Sequence, residues 1–243
     1  MEPDEYTRIA AAEDDHWWYR NTRALMRAWL APWLGTDQRI LDAGCGPGGN
    51  GAWLADHGDV VGVDLAPEAL EFARARRRPL TPVRASIAAL PFAESSFDVV
   101  VEVTVVACVA DDAAAVRELA RVLRPGGVLL LFEPAFAALL RAHDKTVHNL
   151  NRFRRSALRA LAQRAGLHVE LSTYAYSFLM PPAYGLSLAD RVRNKPPHET
   201  GSDIEKRWLD RLFSPLAGAE RRWLAGHTVP FGTSAVVIAT RPG

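Results

Sequence analysis

Cysteine is scarce in this chain: its 243 residues contain two, Cys45 and Cys108. They match no metal-binding spacing, and one pair makes no disulfide framework, so a reducing, intracellular setting is expected. Charge of one sign is missing too. Twenty-nine basic residues face 28 acidic ones, a net charge of +1, which leaves no global field aimed at nucleic acid or a membrane surface. Long apolar runs are also missing: the longest, "VVVEVTVVACVA", is broken by Glu102 and Thr104 and is too short to span a bilayer. The first residues, "MEPDEYTRIAAAEDD", are acidic and lack the basic and apolar regions of a signal peptide. Together these gaps predict a cytoplasmic protein with no membrane or nucleic-acid partner. Even the basic run "RARRR" (74–78) closes a predicted helix, where cations suit the dipole, and no aromatic residues interleave it.

What is present is ordinary globular material, 49% hydrophobic and 23% charged, enough to bury the core of one α/β domain. In "HWWYRNTRALMRAWLAPWL", Trp18, Leu25, Trp29 and Trp33 fall near helical spacing, and Pro32 ends the pattern. Short apolar runs then alternate with helical stretches. The strand-like runs are "RILDAGCG", "DVVGVDL", "TPVRA", "FDVVVEV" and "GVLLLFEP". The helical ones are "GAWLADHG", closed by Gly58, "APEALEFARARRR", with Pro67 in its first turn, and "DDAAAVRELARVL". Continuous apolar strands separated by helices predict a parallel sheet covered on both faces. Further on, Ser156 is a predicted N-cap and Gly166 a predicted C′ glycine for the next helix. The strand "LHVELSTY" follows that helix, and "TSAVVIAT" is the last strand. The expected organisation is a single domain: an N-terminal helical cap over 1–35, an α/β core over 36–176 and 228–243, and an insertion over 177–227. The prolines and two short aromatic helices of that insertion predict a lid over an acceptor site, or alternatively a dimerising surface.

The first strand runs into "LDAGCGPGGNG". Glycines there let a ligand approach the backbone, a following helix N-terminus offers unpaired N–H groups, and Asp64 at the end of the second strand can accept from ribose hydroxyls. Gly44, Gly46 and Gly49 satisfy the dinucleotide pattern G-x-G-x-x-G, while Asp42, Gly44, Gly46 and Gly48 satisfy D-x-G-x-G-x-G. At this point a nicotinamide cofactor and an adenosyl cofactor both remain open.

"ALPFAESSFDVVV" (89–101) and "ELARVLRPGGVLLLFEPA" (118–135) follow in order. With "LDAGCGPGG" and "VVGVDLAPEAL", the chain over about 36–135 resembles the class I S-adenosylmethionine-dependent methyltransferases, in their small-molecule branch. The resemblance implies a Rossmann-like, seven-stranded, mostly parallel sheet with its last strand antiparallel. It also implies S-adenosyl-L-methionine as cofactor and methyl transfer to O, N or C of a small-molecule acceptor, in a monomer or homodimer. By matched position, Gly44, Cys45, Gly46 and Gly48 line the cofactor loop with Asp42 at its base. Asp64 takes the ribose hydroxyls, Leu65 flanks the adenine, and Ser86 and Ile87 lie at its edge. Val103 lies near the methionine end, and "HWWYRNTR" looks like the family's aromatic cap, bringing Trp18 over the cofactor and Arg23 (or Arg20) to its carboxylate. Two places depart from the family: Ser86 stands where an acidic residue is usual, and Val103 and Cys108 stand near positions that are often polar and histidine.

Methyl transfer is an in-line displacement that needs positioning first, and a base only where the acceptor keeps its proton. The candidate bases are His148, His143 and Glu133, and the candidate acceptor contacts are Asp144 and Tyr176. Three of these lie in "HDKTVHNLNRFRR" (143–155), a polar stretch with no matched metal ligands. Other readings of the same residues are transfer of the aminocarboxypropyl arm, an NAD(P)-dependent reductase, and a non-catalytic cofactor-binding protein.

Overall fold

Seven strands make one sheet in the order β3-β2-β1-β4-β5-β7-β6. They are β1 (Gln38–Ala43), β2 (Gly58–Asp64), β3 (Leu80–Arg84), β4 (Phe97–Val103), β5 (Leu123–Pro134), β6 (His168–Ala175) and β7 (Ser234–Thr240). Neighbours pair in parallel except β7, which runs antiparallel to both β5 and β6. The computed structural model describes residues 3–76, 80–140, 144, 147–193 and 208–243.

Apolar residues on the central strands alternate between two cores, because successive side chains on a strand point to opposite faces. Leu41, Val100, Leu129 and Val237 pack on one side with α5 (Asp112–Val122) and α6 (Arg155–Arg164). Ile40, Val99, Leu130, Val236 and Ile238 pack on the other with α2 (Trp17–Leu30), α3 (Gly51–Leu54) and α8 (Trp208–Leu224). Burial on both faces is what the unbroken apolar runs predict. The remaining helices are α1 (Pro3–Ala12), α4 (Pro67–Ala75) and α7 (Met180–Arg193). Among the described residues no helix is long and apolar enough to cross a membrane.

Helix α2 buries Trp17, Asn21, Thr22, Leu25, Met26, Trp29 and Leu30, a stripe at spacings of four. His16 caps it by accepting from the Trp18 N–H (3.3 Å). It ends at Leu30, ahead of Pro32. The same stripe receives α8: Trp29 Nε1 donates to the Leu224 carbonyl (3.3 Å), and Asp210 Oδ1 accepts from the Trp17 N–H (3.2 Å). The N-terminal cap and the far end of the 177–227 insertion thus form one layer.

Three local expectations change. The helix expected over "GAWLADHG" is one turn, Gly51–Leu54, and Gly58 already begins β2, where it pairs with Gln38. Ser156 is not the N-cap; α6 starts two residues earlier than expected, with Arg154 in that position. The Tyr174 hydroxyl accepts from the Arg155 N–H (3.1 Å), so a tertiary contact does the capping. The insertion forms helices of 14 and 17 residues, longer than the two short ones expected.

Candidate active site

Where β1 ends, the chain turns through a loop whose backbone favours glycine. Gly44, Gly46 and Gly48 have φ of 85°, 52° and 88°. A Cβ at Gly44 would overlap Val105, and one at Gly48 would press on the Ala73 backbone at 3.2 Å, whereas Gly46 has open space above it. The loop is tied to β2: Asp64 Oδ2 accepts from the Gly46 N–H (3.0 Å) and Oδ1 from the Ala66 N–H (2.9 Å). The helix that follows is a single turn, so these loop N–H groups, not a helix dipole, supply the local donors.

Asp42 lies fully buried under the loop, and burial pushes its carboxyl up to about 7 against the opposing hydrogen bond from Asn50. The Cys45 thiol is raised as well, by burial and then by the charges of Asp42 and Asp64.

A cavity of about 1100 Å³ opens over this loop. Of the residues singled out in the sequence, Gly44, Cys45, Gly46, Asp64, Leu65, Ser86, Ile87, Val103, Trp18, Arg23, Asp144 and His148 are on its wall. Leu65 is 65% exposed, high for a large aliphatic side chain, and that surface faces the cavity. The Ser86 hydroxyl oxygen already accepts from the Ala88 N–H (3.2 Å).

Four residues stand elsewhere. Asp42 lies beneath the loop, and Gly48, within it, packs toward Leu80 and Ala73. Glu133, a candidate base, is fully buried behind the turn that follows β4, and its Oε2 accepts from the Ala107 N–H (3.2 Å). Burial, then the adjacent Glu102 charge, hold its carboxyl well above the ordinary range. Tyr176, a candidate acceptor contact, is fully buried among aromatic rings; its hydroxyl bonds to Thr22 Oγ1 (2.6 Å) and to the Trp18 carbonyl (3.3 Å). It turns inward because Glu220 takes the N–H groups of Tyr176 and Ser177 (2.7 Å each), holding Tyr176 at φ 60°. His143 lies outside the described residues.

The cap closes one end of the cavity: His16 and Tyr19 of the aromatic stretch line it with Trp18 and Arg23, joined by Tyr6 and Glu13, which motif reading passed over. Glu13 rests on Gly49, where a Cβ would overlap its carboxylate, and pairs with Arg76. Arg76 also donates to the Pro47 carbonyl (2.8 Å) and to Asp14 (3.0 Å). Burial outweighs Arg76 and pushes the Glu13 carboxyl up to about 7. Arg23 Nη2 donates to the Glu13 carbonyl (2.6 Å), fastening the cap from the other side. The signal for this was the acidic start followed by basic positions in α2 and α4, which in sequence reads as a solvated tail.

At the opposite end, Asp144 is buried and held by Arg152 through two bonds of 3.0 Å and by Asn149 Nδ2 (3.1 Å). His148, at φ 58°, is on the cavity wall at this end. Cys108 Sγ donates to Asn149 Oδ1 (3.2 Å), which links this loop to the turn after β4.

A family model described as a methyltransferase domain matches residues 41–131. The malonyl-[acyl-carrier protein] O-methyltransferase of Enterobacter lignolyticus is 39% identical over 122 residues, 47% of this chain and 48% of that protein. A protein of Mycolicibacterium smegmatis, named as an S-adenosylmethionine-dependent methyltransferase, is 30% identical over 165 residues, 67% of this chain and 63% of its own length. Residues 41–131 therefore carry a methyltransferase domain, and around that core the chain is similar to S-adenosylmethionine-dependent methyltransferases. It spans about half to two thirds of the length of these two curated relatives. A chain from the complex of the Haloferax volcanii Trm112 methyltransferase activator with a methyltransferase shares the fold at a TM-score of 0.66 and 22% identity, covering 99% of this chain and 95% of that one. The cofactor of this family is S-adenosylmethionine, and the cavity fits it: an open glycine cradle at Gly46, a carboxylate at Asp64 and an exposed apolar face at Leu65 adjoin one another.

Proposed function

We propose that the chain moves a methyl group from S-adenosylmethionine to O, N or C of an uncharged, largely apolar small molecule. One observation carries this reading. A single cavity joins the glycine loop and Asp64 to the His148 loop and the two insertion helices. Bound S-adenosylmethionine supplies an electrophilic methyl carbon on its sulfonium.

The residues around it divide the work. Asp64, already fixed by the Gly46 and Ala66 N–H groups, presents its remaining lone pairs to the ribose hydroxyls. Leu65 and Ile87 offer apolar surface to the adenine, with the Ser86 hydroxyl at its edge. Trp18 and Arg23 cover the methionine end, and Arg23 brings positive charge to its carboxylate.

The acceptor end is built differently. Val109, Leu139, Leu179, Leu186 and Leu212 are on its wall, and its charged pair, Asp144 and Arg152, is satisfied internally. A charged acceptor would lose its hydration there without finding a partner. An apolar one would displace water and be held for in-line attack. His148 is the polar group on this wall suited to take a proton from a hydroxyl or amine acceptor.

The test is incubation with methyl-labelled S-adenosylmethionine and matched panels of apolar phenols, apolar amines and their carboxylated analogues, read by mass spectrometry. The expected products are S-adenosylhomocysteine and labelled apolar acceptors. Methylthioadenosine as co-product would replace methyl transfer by transfer of the aminocarboxypropyl arm. Stabilisation by NAD(P) and not by S-adenosylhomocysteine would overturn the cofactor assignment.

A further inference from the structure

Two buried acids under the turn that follows β4 take no part in that scheme. Glu102 is the penultimate residue of β4 and Glu133 the penultimate residue of β5, on adjacent parallel strands, and both are fully buried. Each commits one oxygen to the turn. Glu102 Oε1 accepts from the N–H groups of Val105 (2.6 Å) and Val106 (3.0 Å), and Glu133 Oε2 accepts from Ala107 (3.2 Å). The other two oxygens, Glu102 Oε2 and Glu133 Oε1, are buried with no donor of their own. Two carboxylates so placed cannot both be ionised, since each would be a buried charge within the influence of another of the same sign.

We propose that Glu102 and Glu133 share one proton in an O–H···O bond between those two oxygens, and that this bond positions the 147–151 loop at the acceptor end of the cavity. The route is short. Ala107, whose N–H Glu133 holds, accepts at its carbonyl from Leu150 (2.8 Å) and Asn151 (3.1 Å). Next to it, Cys108 Sγ donates to Asn149 Oδ1 (3.2 Å) and has the Val147 carbonyl as its alternative acceptor (3.5 Å). The loop carrying His148 therefore hangs from the turn, and the turn hangs from the two acids. Burial raises both carboxyls, and Glu102's charge raises Glu133 further, which places the proton on Glu133. The neighbouring titratable groups do not supply a counter-charge: the Cys108 thiol is pushed up to about 11 and stays neutral, and Asp144 is held by Arg152. Glu102 and Glu133 act as positioning residues, out of contact with substrate.

The acids can be tested in the full-length chain without any acceptor, so the outcome is independent of the methyl-transfer reading. In infrared difference spectra at pH 7, Glu133→Gln and Glu102→Gln should each remove the same single carboxylic C=O band, because either amide replaces the shared proton. Both single variants should melt within about 5 °C of the parent. In the double variant each amide oxygen stays on its backbone N–H, so two NH₂ groups face each other with no acceptor. It should melt lower than the sum of the single effects, and the amides of Leu150 and Asn151 should exchange about tenfold faster or more. No band lost, two different bands lost, an additive double variant, or unchanged exchange at Leu150 and Asn151 would each overturn the proposal. Should the amide variants not fold, ¹³C-glutamate labelling of a Glu13→Gln chain, which lacks the other raised glutamate, must still shift a carboxylic band at pH 7. Its absence overturns the shared proton.

Discussion

Asp64 shows how one carboxylate does two things. Its two oxygens fix the loop through Gly46 and Ala66, and the same group borders the cavity. Asp64→Ala should weaken S-adenosylhomocysteine binding about tenfold or more by calorimetry, consistent with loss of charge-assisted hydrogen bonds. The circular dichroism of the variant should match the parent. Asp42 behaves in the opposite way, since nothing in its surroundings favours its charge except Asn50. Its carboxyl rises from an ordinary 3.8 to about 7, so between those values the folded chain binds a proton that the unfolded chain has lost. Stability from this group is complete below the unfolded value and disappears as pH rises through the folded one. Glu13, also pushed up to about 7, adds to the same window. Thermal denaturation should therefore give a melting temperature that falls from pH 5 to pH 8. Asp42→Asn should flatten that fall without abolishing it, because Glu13 remains.

The end of α1 is seated by few contacts, and they meet at Arg76. That side chain joins Glu13, Asp14 and the Pro47 carbonyl, three points on the cap and the glycine loop. Removing it takes the ion-pair partner from the buried Glu13 carboxylate and leaves only the weaker influence of Arg23, a costly state. Arg76→Ala should raise the dissociation rate of S-adenosylhomocysteine severalfold in stopped-flow measurements, and Glu13→Gln in that background should recover much of the loss. The other cover, α7 and α8, borders the acceptor end through Leu186 and Leu212. Leu212→Glu should raise the acceptor KM about tenfold or more while cofactor affinity stays unchanged, since a carboxylate there meets an apolar ligand. Equal weakening of both ligands would place Leu212 outside the acceptor end.

Across the whole molecule, the parts that local chemistry dictates were legible in the sequence. Unbroken apolar runs gave away strands buried on both faces, and the positive φ at Gly44, Gly46 and Gly48 answers to the glycines that marked the loop. Twelve of the residues singled out do converge on one cavity. The misplacements share a cause. Glu133 and Tyr176 both sit just where a strand ends, a position from which a side chain can face ligand or core. Glu102 and Glu220, distant in sequence, decide which. Ser156 lost its capping role to Tyr174, again through a contact made across the fold.

By itself, then, the sequence determined the buried strands, their alternation with helices, the glycine loop and Asp64 as its partner, because each depends on periodicity or on the conformational freedom of a few adjacent residues. Tertiary structure alone decided which acids border the cavity and which are buried beneath the turn after β4, how Glu13 and Arg76 seat the cap, and that His148 stands on a loop hung from that turn. Those outcomes depend on burial and on charges brought together from separate strands, and neither quantity exists until the chain has folded.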